Sequence, residues 1–461
     1  MPIFNRRTEY PVSVETLFGW HRRPGAFQRM TPPWESVEIL QEEGDMESGG
    51  TVLLGLHKGP ARLQWKVGYT AYETNRLFQD EQISGPFGAW RHAHRFHPMG
   101  PDRSILEDEV EWAPPLGSLG SVFATGFLQG TLERLFAFRH ERLRHDLELA
   151  VRYSTGSGRR YAITGATGLL GSSLTGLLRS QGHTVLRITR SPSEPHDVGW
   201  DPGAGELDAG ALEGLDGLVH LAGESIAGVR WTAKKKQAIR RSRVEGTGLV
   251  ARTLADLKRP PPVLISASAV GFYGDTGDRL TDERAPGGDG FLAGVCKAWE
   301  EAAQPARRKD IRTVHLRTGM VLSPAGGALG TMLLPFQLGA GGRLGSGRQY
   351  VPWVDLDDVV GLILHALNTP SLEGPMNLTG PNPVTNATFT STLGRVLGRP
   401  TLLPVPAPAI KLALGEMGTE LLLRGQRAVP RVAEESGYRF LKEELEASLR
   451  FQLGRASPSA E

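Results

Sequence analysis

The chain has 461 residues, 39% apolar and 22% charged, with a formal net charge of only +2. That length exceeds what one hydrophobic core normally supports, so two or three domains are expected, and the near-neutral balance gives no case for nucleic acid as a partner. The single cysteine, Cys296, excludes an intrachain disulfide and a multi-cysteine metal centre. MPIFNRRTEYPVSVETLFGW lacks the apolar core of a signal peptide and no stretch reaches about 18 uncharged apolar residues, so the chain reads as cytoplasmic with no stable membrane insertion.

Residues 1–152 read as an α+β domain. VSVETLFGWHRRPGAF predicts one or two short helices. WESVEIL, TVLLGL, ARLQWKVGYTAYE, RLFQDEQIS, WRHAHRFHPM and RSILEDEVEW follow as strands, several of them alternating apolar and polar residues between Gly, Pro or Asn turns. The pattern is a curved antiparallel sheet. Phe123, Leu128, Leu132, Leu135, Phe136 and Leu143 then mark the stripe of a long helix. Such a helix laid on a curved sheet gives a plain core, a small-molecule or lipid pocket, or a docking surface. His21, His57, His92, His94 and His97 read as ordinary surface and sheet histidines: His92 and His94 share a strand face, His97 the other, and no Cys or nearby carboxylate completes a metal set. PVSVETLFGWHRRPGAFQRMTPPWE, DEQISGPFGAWRHAHRF and LEDEVEWAPPLG resemble the START/SRPBCC superfamily. That resemblance implies a helix-grip fold around a hydrophobic ligand.

VRYSTGSG is a polar break, after which the rhythm becomes β-α-β. Gly165, Gly168 and Gly171 form G-x-x-G-x-x-G between a strand and a helix, with Thr167 and Leu169 in the same turn. A bare turn there lets backbone N–H groups and a helix N-terminus receive a diphosphate. The second strand, VLRITR, ends on Arg190 where an NAD site would carry Asp or Glu. A cation suits a 2′-phosphate, so NADP(H) is favoured, with NAD(H) the alternative. Asp201, in the next strand and turn, either approaches the adenine end or caps the turn. The strand LVHLAGES brings Leu221, Ala222 and Gly223 toward the nicotinamide ribose, with Glu224 following at the cleft or at a helix start.

VLISASAVGFYG delivers Ser266, Ser268 and Tyr273 from a buried strand, and FLAGVCKAWE places Lys297 on the next helix. Lys297 suits a nicotinamide ribose, but the position four residues earlier is Ala293, not a phenol. Hydride chemistry at a carbonyl needs a proton source, and three candidates remain, in the order Tyr273, Glu224, Ser268. Cys296 reads as packing. LSPAGGALGTMLLPFQLGAGG predicts a loop with a short helix. Arg343, Arg348 and Gln349 suit an anionic substrate group, with a solvated rim the alternative for the two arginines. Asp357 and Asp358 fit a helix start, Asp355 lies nearer the cleft, and Asn386 is placed as a cap. The C-terminal segment reads as amphipathic helices.

ITGATGLLG, HLAGESIAGVRWTAKKKQAIRRSRVEGT, ISASAVGFYGDTGD, FLAGVCKAWE, LRTGMVLSPAGGAL, GSGRQYVPWVDLDDV and GPNPVTNATF run in order through residues 159–455. They resemble the short-chain dehydrogenase/reductase superfamily in its extended, epimerase-like arrangement, with a family-specific C-terminal domain of unknown function. The resemblance implies a Rossmann-like α/β domain with a mostly parallel sheet over 159–400, and a smaller helical substrate lobe over 401–455. It carries the superfamily's serine to Ser268, with Ser266 competing, and its lysine to Lys297. Ala293 departs from the tyrosine. The expected function is an NADP(H)-dependent oxidoreductase or nucleoside-diphosphate-sugar epimerase-like enzyme acting on a small molecule, with an altered proton donor. Its alternative is a non-catalytic, dinucleotide-regulated binding protein.

Overall fold

The computed structural model describes residues 1–59, 61–114, 121–153, 158–228 and 230–455, with side chains at all of these except 58 and 121–125. Residues 154–157 of the polar break, the side chain of Phe123 and the end of the tail RASPSAE lie outside the described residues. The chain divides into two compact units. One is Met1–Thr155, with Arg179–Gly182 and Leu453–Glu461 grouped to it, and the other is Gly156–Leu178 with His183–Gln452.

The first unit is a seven-stranded antiparallel sheet. Its strands are β1 (Ile3–Tyr10), β2 (Ser36–Glu43), β3 (Thr51–Lys58), β4 (Ala61–Glu73), β5 (Leu77–Ser84), β6 (Ala89–Pro98) and β7 (Ser104–Ala113), in the order β1-β7-β6-β5-β4-β3-β2. Helices α1 (Val14–Arg22) and α2 (Ala26–Met30) follow β1, and α3 (Ser121–Arg152) follows β7. Ser13 caps α1 by accepting from the Thr16 N–H. The six strand patterns all form strands. β1 is an addition, because its inward positions Phe4, Arg6, Thr8 and Tyr10 mix apolar and polar side chains and hide the alternation. Phe18, Phe78, Phe96, Leu106 and Leu143 join α1, the sheet and α3 in one core, and Phe4, Trp90, Trp112, Leu132 and Phe136 make a second. Arg29 and Asp146 tie α2 to α3 through a buried bidentate pair of 2.6 and 2.7 Å.

The second unit holds an eight-stranded sheet. It comprises β8 (Arg160–Thr164), β9 (Thr184–Thr189), β10 (Asp197–Asp201), β11 (Glu206–Leu207), β12 (Gly217–His220), β13 (Val263–Ala269), β15 (Arg312–Thr318) and the edge strand Gly374–Leu378. A short strand outside it, β14 (Leu280–Thr281), pairs in parallel with Arg427–Ala428. The order is β11-β10-β9-β8-β12-β13-β15 and then the edge strand, parallel except at β10–β11. This is a doubly wound sheet whose strand order reverses between β8 and β12, where such sheets leave a crevice for ligands. Its helices include α4 (Leu169–Ser180), α5 (Ala233–Asp256) and α6 (Phe291–Glu301). Ala162, Leu186, Leu218, Val250, Leu254 and Leu264 centre the core between sheet and helices. The stretch from residue 322 carries the helix Gly327–Gln337, with Pro335 inside it. In the C-terminal segment, helix Ala407–Gly418 breaks at Gly415 (φ 61°, ψ −136°), and Met417 packs with Trp231, Ile239 and Val295. No helix among the described residues is long and apolar enough to cross a membrane.

Candidate functional site

The switch point is occupied by the glycine turn joining β8 to α4. Gly165 has φ 67°, and the Gly168 N–H donates to its carbonyl at 3.0 Å, closing the turn. A methyl at 165 would meet Ala222 N and Leu221 C at 3.1 Å; one at 171 would lie 2.2 Å from the Gly165 carbonyl oxygen. Both glycines are therefore required by neighbouring backbone. At 168 a methyl would meet, among the described residues beyond its chain neighbours, one atom within 4 Å, the Gly165 oxygen at 3.3 Å, and both Thr167 and Gly168 are exposed. The open glycine faces outward beside the α4 N-terminus, whose first N–H groups lack partners within the helix. Leu169 is half-buried.

Thr164, at the end of β8, was invisible to sequence reasoning. Its Oγ1 accepts from Leu221 N (3.0 Å) and Ala222 N (3.2 Å) and lies 2.7 Å from His220 Nδ1. This buried clasp fixes the end of β12 against the glycine turn, so Leu221, Ala222 and Gly223 lie beside it. Burial pushes His220 down to about 4, so the ring is neutral at pH 7. The clasp joins residues 56–58 positions apart, which no local pattern reveals.

Arg190 is exposed at the end of β9 and has no hydrogen bond or ion pair among the described residues. The neighbouring Arg187, by contrast, is held by Asp197 at 2.7 and 2.8 Å. Asp201 takes the turn-capping role: its Oδ1 accepts from Gly203 N (2.8 Å) and Ala204 N (3.2 Å).

The proton-transfer candidates are placed differently from their expectation, and the structure does not bring them to one point. Tyr273 is buried. Its hydroxyl donates to Asn377 Oδ1 at 2.7 Å and accepts from Arg317 at 3.1 Å, and burial pushes the phenol up to about 12. Ser268 is also buried and donates to Glu300 at 2.7 Å. Glu300 in turn holds Arg317 through two bonds of 2.8 and 2.9 Å. Ser268, Glu300, Arg317, Tyr273 and Asn377 thus form one buried network, in which the Arg317 guanidinium lies 3.5 Å from the Phe272 ring centroid. Lys297 is exposed on α6 and donates to the Gly288 carbonyl at 2.8 Å, its stem lying over Gly287. Glu224 is exposed and paired with Lys235 at 2.6 Å. A raised pKa was the condition for Glu224 to act as an acid; that bond, with Arg190 and Arg243 adding to it, lowers the value instead. Ala293 and Cys296 are buried on α6, and burial pushes the Cys296 thiol up to about 11, so it packs as a thiol.

Asp355 caps the helix Leu356–Asn368, accepting from Asp357 N at 2.9 Å, and receives Ser448 (2.5 Å) and Gln452 (2.8 Å) from the C-terminal helix Leu445–Gln452. Asp358 accepts from Leu441 N (2.7 Å), Lys442 N (3.1 Å) and Tyr438 (3.1 Å). These carboxylates fasten the C-terminal segment. Thr385, one residue before the expected Asn386, is the cap of the helix Asn386–Leu397, while Asn386 accepts from Leu344 N. Gln349 is spent on the carbonyls of Leu344 and Leu422. Arg343 and Arg348 are exposed.

The first unit has a polar interior of its own. His57 and His97 are ordinary strand histidines, each paired with a glutamate, Glu38 and Glu107. His21, His92 and His94 are buried instead, and two carboxylates stand beside the last two where none was expected. His92 Nε2 is 2.9 Å from Asp108 Oδ1, His140 Nε2 is 2.6 Å from Oδ2, and His94 Nδ1 is 2.6 Å from Oδ1 but out of line for a hydrogen bond. Burial alone would raise Asp108, but the His94, His140 and His92 rings hold its carboxyl well below the usual range. Burial lowers all three rings, and lowers His21 to about 4. It pushes Asp80 up to about 6 against the opposing pull of His94.

Residues 161–378 match the family model described as NAD dependent epimerase/dehydratase family. Residues 405–452 match a domain of unknown function (DUF1731), and 10–138 match polyketide cyclase / dehydrase and lipid transport. Epimerase family protein Mb2239 of Mycobacterium bovis is 48% identical over 280 residues, covering 60% of this chain and 92% of the relative. A crystal structure described as the nucleoside-diphosphate sugar epimerase from Corynebacterium glutamicum is similar over 99% of this chain and 91% of its own, with 32% identity and a TM-score of 0.82. The human epimerase family protein SDR39U1 (isoform 2), solved with NADPH, is 35% identical with a TM-score of 0.59, covering 64% of this chain and 99% of its own.

Proposed function

The chain belongs to the NAD dependent epimerase/dehydratase family, and from that premise we propose that its second unit binds NADP(H) at the β8–α4 turn and exchanges hydride with a small-molecule substrate. The observation that carries the reading is the division of labour among the three glycines. Backbone atoms require glycine at 165 and 171, whereas 168 is open on the side where a diphosphate would lie. The unpaired Arg190 supports a 2′-phosphate, and the human relative was solved with NADPH. NAD(H) is the alternative, since the glycine turn does not read the 2′ position. A nucleoside-diphosphate sugar is the substrate class, supported by the description of the Corynebacterium glutamicum relative and by the side chains of Arg343 and Arg348, which have no partner among the described residues.

Proton transfer falls to a group other than the superfamily tyrosine: of the three candidates Tyr273, Glu224 and Ser268, the lowered pKa of Glu224 speaks against it as an acid, and Lys297 serves the nicotinamide ribose. One observation favours a second reading: Tyr273 is held by Asn377 and Arg317, Ser268 by Glu300, and Glu224 by Lys235. In that reading the dinucleotide stabilises one conformation without turnover. In both readings the first unit is a helix-grip domain for an apolar small molecule, supported by the match to polyketide cyclase / dehydrase and lipid transport.

Titration of NADPH and NADH against the wild type and Arg190→Ala tests the cofactor. A hydrogen bond to a charged group contributes about 1.5–3 kcal/mol, so the variant is expected to bind NADPH ~10- to ~100-fold more weakly and NADH unchanged. Equal affinities in both proteins remove the NADP(H) preference, and no binding of either dinucleotide removes the whole reading. Deuterium-labelled nucleoside-diphosphate sugars separate the two readings. Label on the bound dinucleotide establishes turnover, and Tyr273→Phe with its rate unchanged then eliminates Tyr273. Tight dinucleotide binding with no label transfer supports the binding protein.

A further inference from the structure

We propose that the interior of the first unit holds a divalent first-row transition ion of the zinc or iron type, ligated by Asp80, His92 and His94. Strand register creates the set. Asp80 on β5 lies directly across from His92 on β6, and His94 lies directly across from Asp108 on β7. The two-residue period puts both histidines on one face of β6. Asp80 Oδ2 is 3.7 Å from His92 Nδ1 and 4.0 Å from His94 Nε2, and the three candidate ligand atoms lie within 4.8 Å of one another. Metal–ligand distances of about 2.0–2.2 Å in a tetrahedral site put ligand atoms roughly 3.4 Å apart, so a modest contraction completes the arrangement.

The tautomers fit the same assignment. His92 Nε2 lies in hydrogen-bond geometry 2.9 Å from Asp108 Oδ1, and His94 Nδ1 lies 2.6 Å from the same oxygen, close to its charge though out of line for a hydrogen bond. A proton on each of those nitrogens leaves His92 Nδ1 and His94 Nε2 as bare lone pairs turned toward Asp80. A carboxylate hydrogen-bonded behind a metal-binding imidazole is the usual support for such a ligand, and Asp108 gives it to His92. His140 is not a ligand, because Thr8 and Asp108 occupy its two nitrogens.

A second observation points to a missing group. His21 is buried, and its Nδ1 lies 2.8 Å from the Leu17 carbonyl, so that nitrogen carries the proton. Its Nε2 is then a bare acceptor with no partner among the described residues, on a ring 6.1 Å from that of His94, centroid to centroid. An orphaned buried acceptor has an energetic cost unless something satisfies it. An ion at the three ligands would carry water in its open position, and such a water is a donor. Arg139 is the cation in opposition; its guanidinium is bound to the Met30 carbonyl at 3.0 Å and lies over Phe136.

Two His nitrogens and one carboxylate with an open position select zinc- or iron-type ions over magnesium and calcium, which prefer all-oxygen shells. The test uses the full chain, stripped with a chelator and titrated with Co²⁺ as the optical probe and then with Zn²⁺. One equivalent of Co²⁺ is expected to bind with the visible d–d bands of a low-coordinate nitrogen and oxygen shell, and Zn²⁺ is expected to displace it and raise Tm. Asp80→Asn and His94→Ala are expected to lose the bands, and Asp108→Asn to weaken binding ~10- to ~100-fold. His97→Ala, on the outer face, is expected to bind as the wild type does. Should the inner variants fail to fold, the wild-type titration decides alone. No stoichiometric uptake, a spectrum of solvated Co²⁺ only, or bands that survive in folded His94→Ala overturns the proposal.

Discussion

Adding one methyl group at Gly171 or at Gly168 should produce opposite failures. At 171 the methyl would sit 2.2 Å from the Gly165 carbonyl oxygen and 2.7 Å from the Ala166 Cα. Both are backbone atoms of the turn and cannot swing aside, so the turn must open. Overpacking of this kind costs about 1–3 kcal/mol. In a domain of this size each kcal/mol lowers Tm by roughly 2–4 °C, which puts Gly171→Ala ~2–12 °C below the wild type. At 168 the methyl meets one atom at 3.3 Å, and φ lies outside the left-handed region. Gly168→Ala should therefore melt within about 2 °C of the wild type. Its methyl projects from the open side of the turn, against the diphosphate, and should weaken NADPH at least ~10-fold, about 1.4 kcal/mol. Circular dichroism melts and fluorescence titration with NADPH read the two effects separately. Wild-type NADPH affinity in Gly168→Ala would refute the diphosphate placement. A wild-type melting point in Gly171→Ala would refute the packing account.

Glu300→Gln leaves the Arg317 guanidinium buried without its counter-charge, and should lower the unfolding free energy by about 3–5 kcal/mol in urea titrations; a loss under about 1 kcal/mol would show that Arg317 finds another partner. Burial raises Asp355 and Asp358 above the usual carboxylate range, with repulsion from Asp357 adding to it at Asp355 and repulsion from Asp355 adding to it at Asp358. The folded state then binds more protons than the unfolded one between the ordinary and the raised values. The stability these groups contribute is fully present below the ordinary value and declines as pH rises through the raised ones. Urea midpoints measured from pH 5 to 8 should fall, and Asp355→Asn, which keeps an oxygen for the cap, should flatten the decline. An unchanged slope in that variant would assign the effect elsewhere.

Legibility in the sequence tracked the range of the interaction. The glycine turn, the alternation of β4 to β7 and the stripe of α3 each lie within one element, so local spacing exposed them. β1 escaped because Arg6 and Thr8 take inward positions that apolar residues usually fill. Glu300 carries no local signal that sets it apart from any other acid on a helix, although it holds both Ser268 and Arg317. Asp80 and Asp108 were hidden among the other acids of RLFQDEQIS and RSILEDEVEW. Only pairing of three strands shows which carboxylates turn inward toward His92 and His94.

By itself the sequence determined the two periodicities, and with them an antiparallel sheet with a long helix followed by a parallel, doubly wound one, because side-chain period follows directly from backbone geometry. It also placed three bare positions between a strand and a helix. Tertiary structure alone decided which glycine stays open, that Tyr273 and Ser268 are buried in a charged network, and that three imidazoles share Asp108. Those outcomes depend on burial and on contacts between residues tens of positions apart, and burial is a property of the packed chain that no single segment carries.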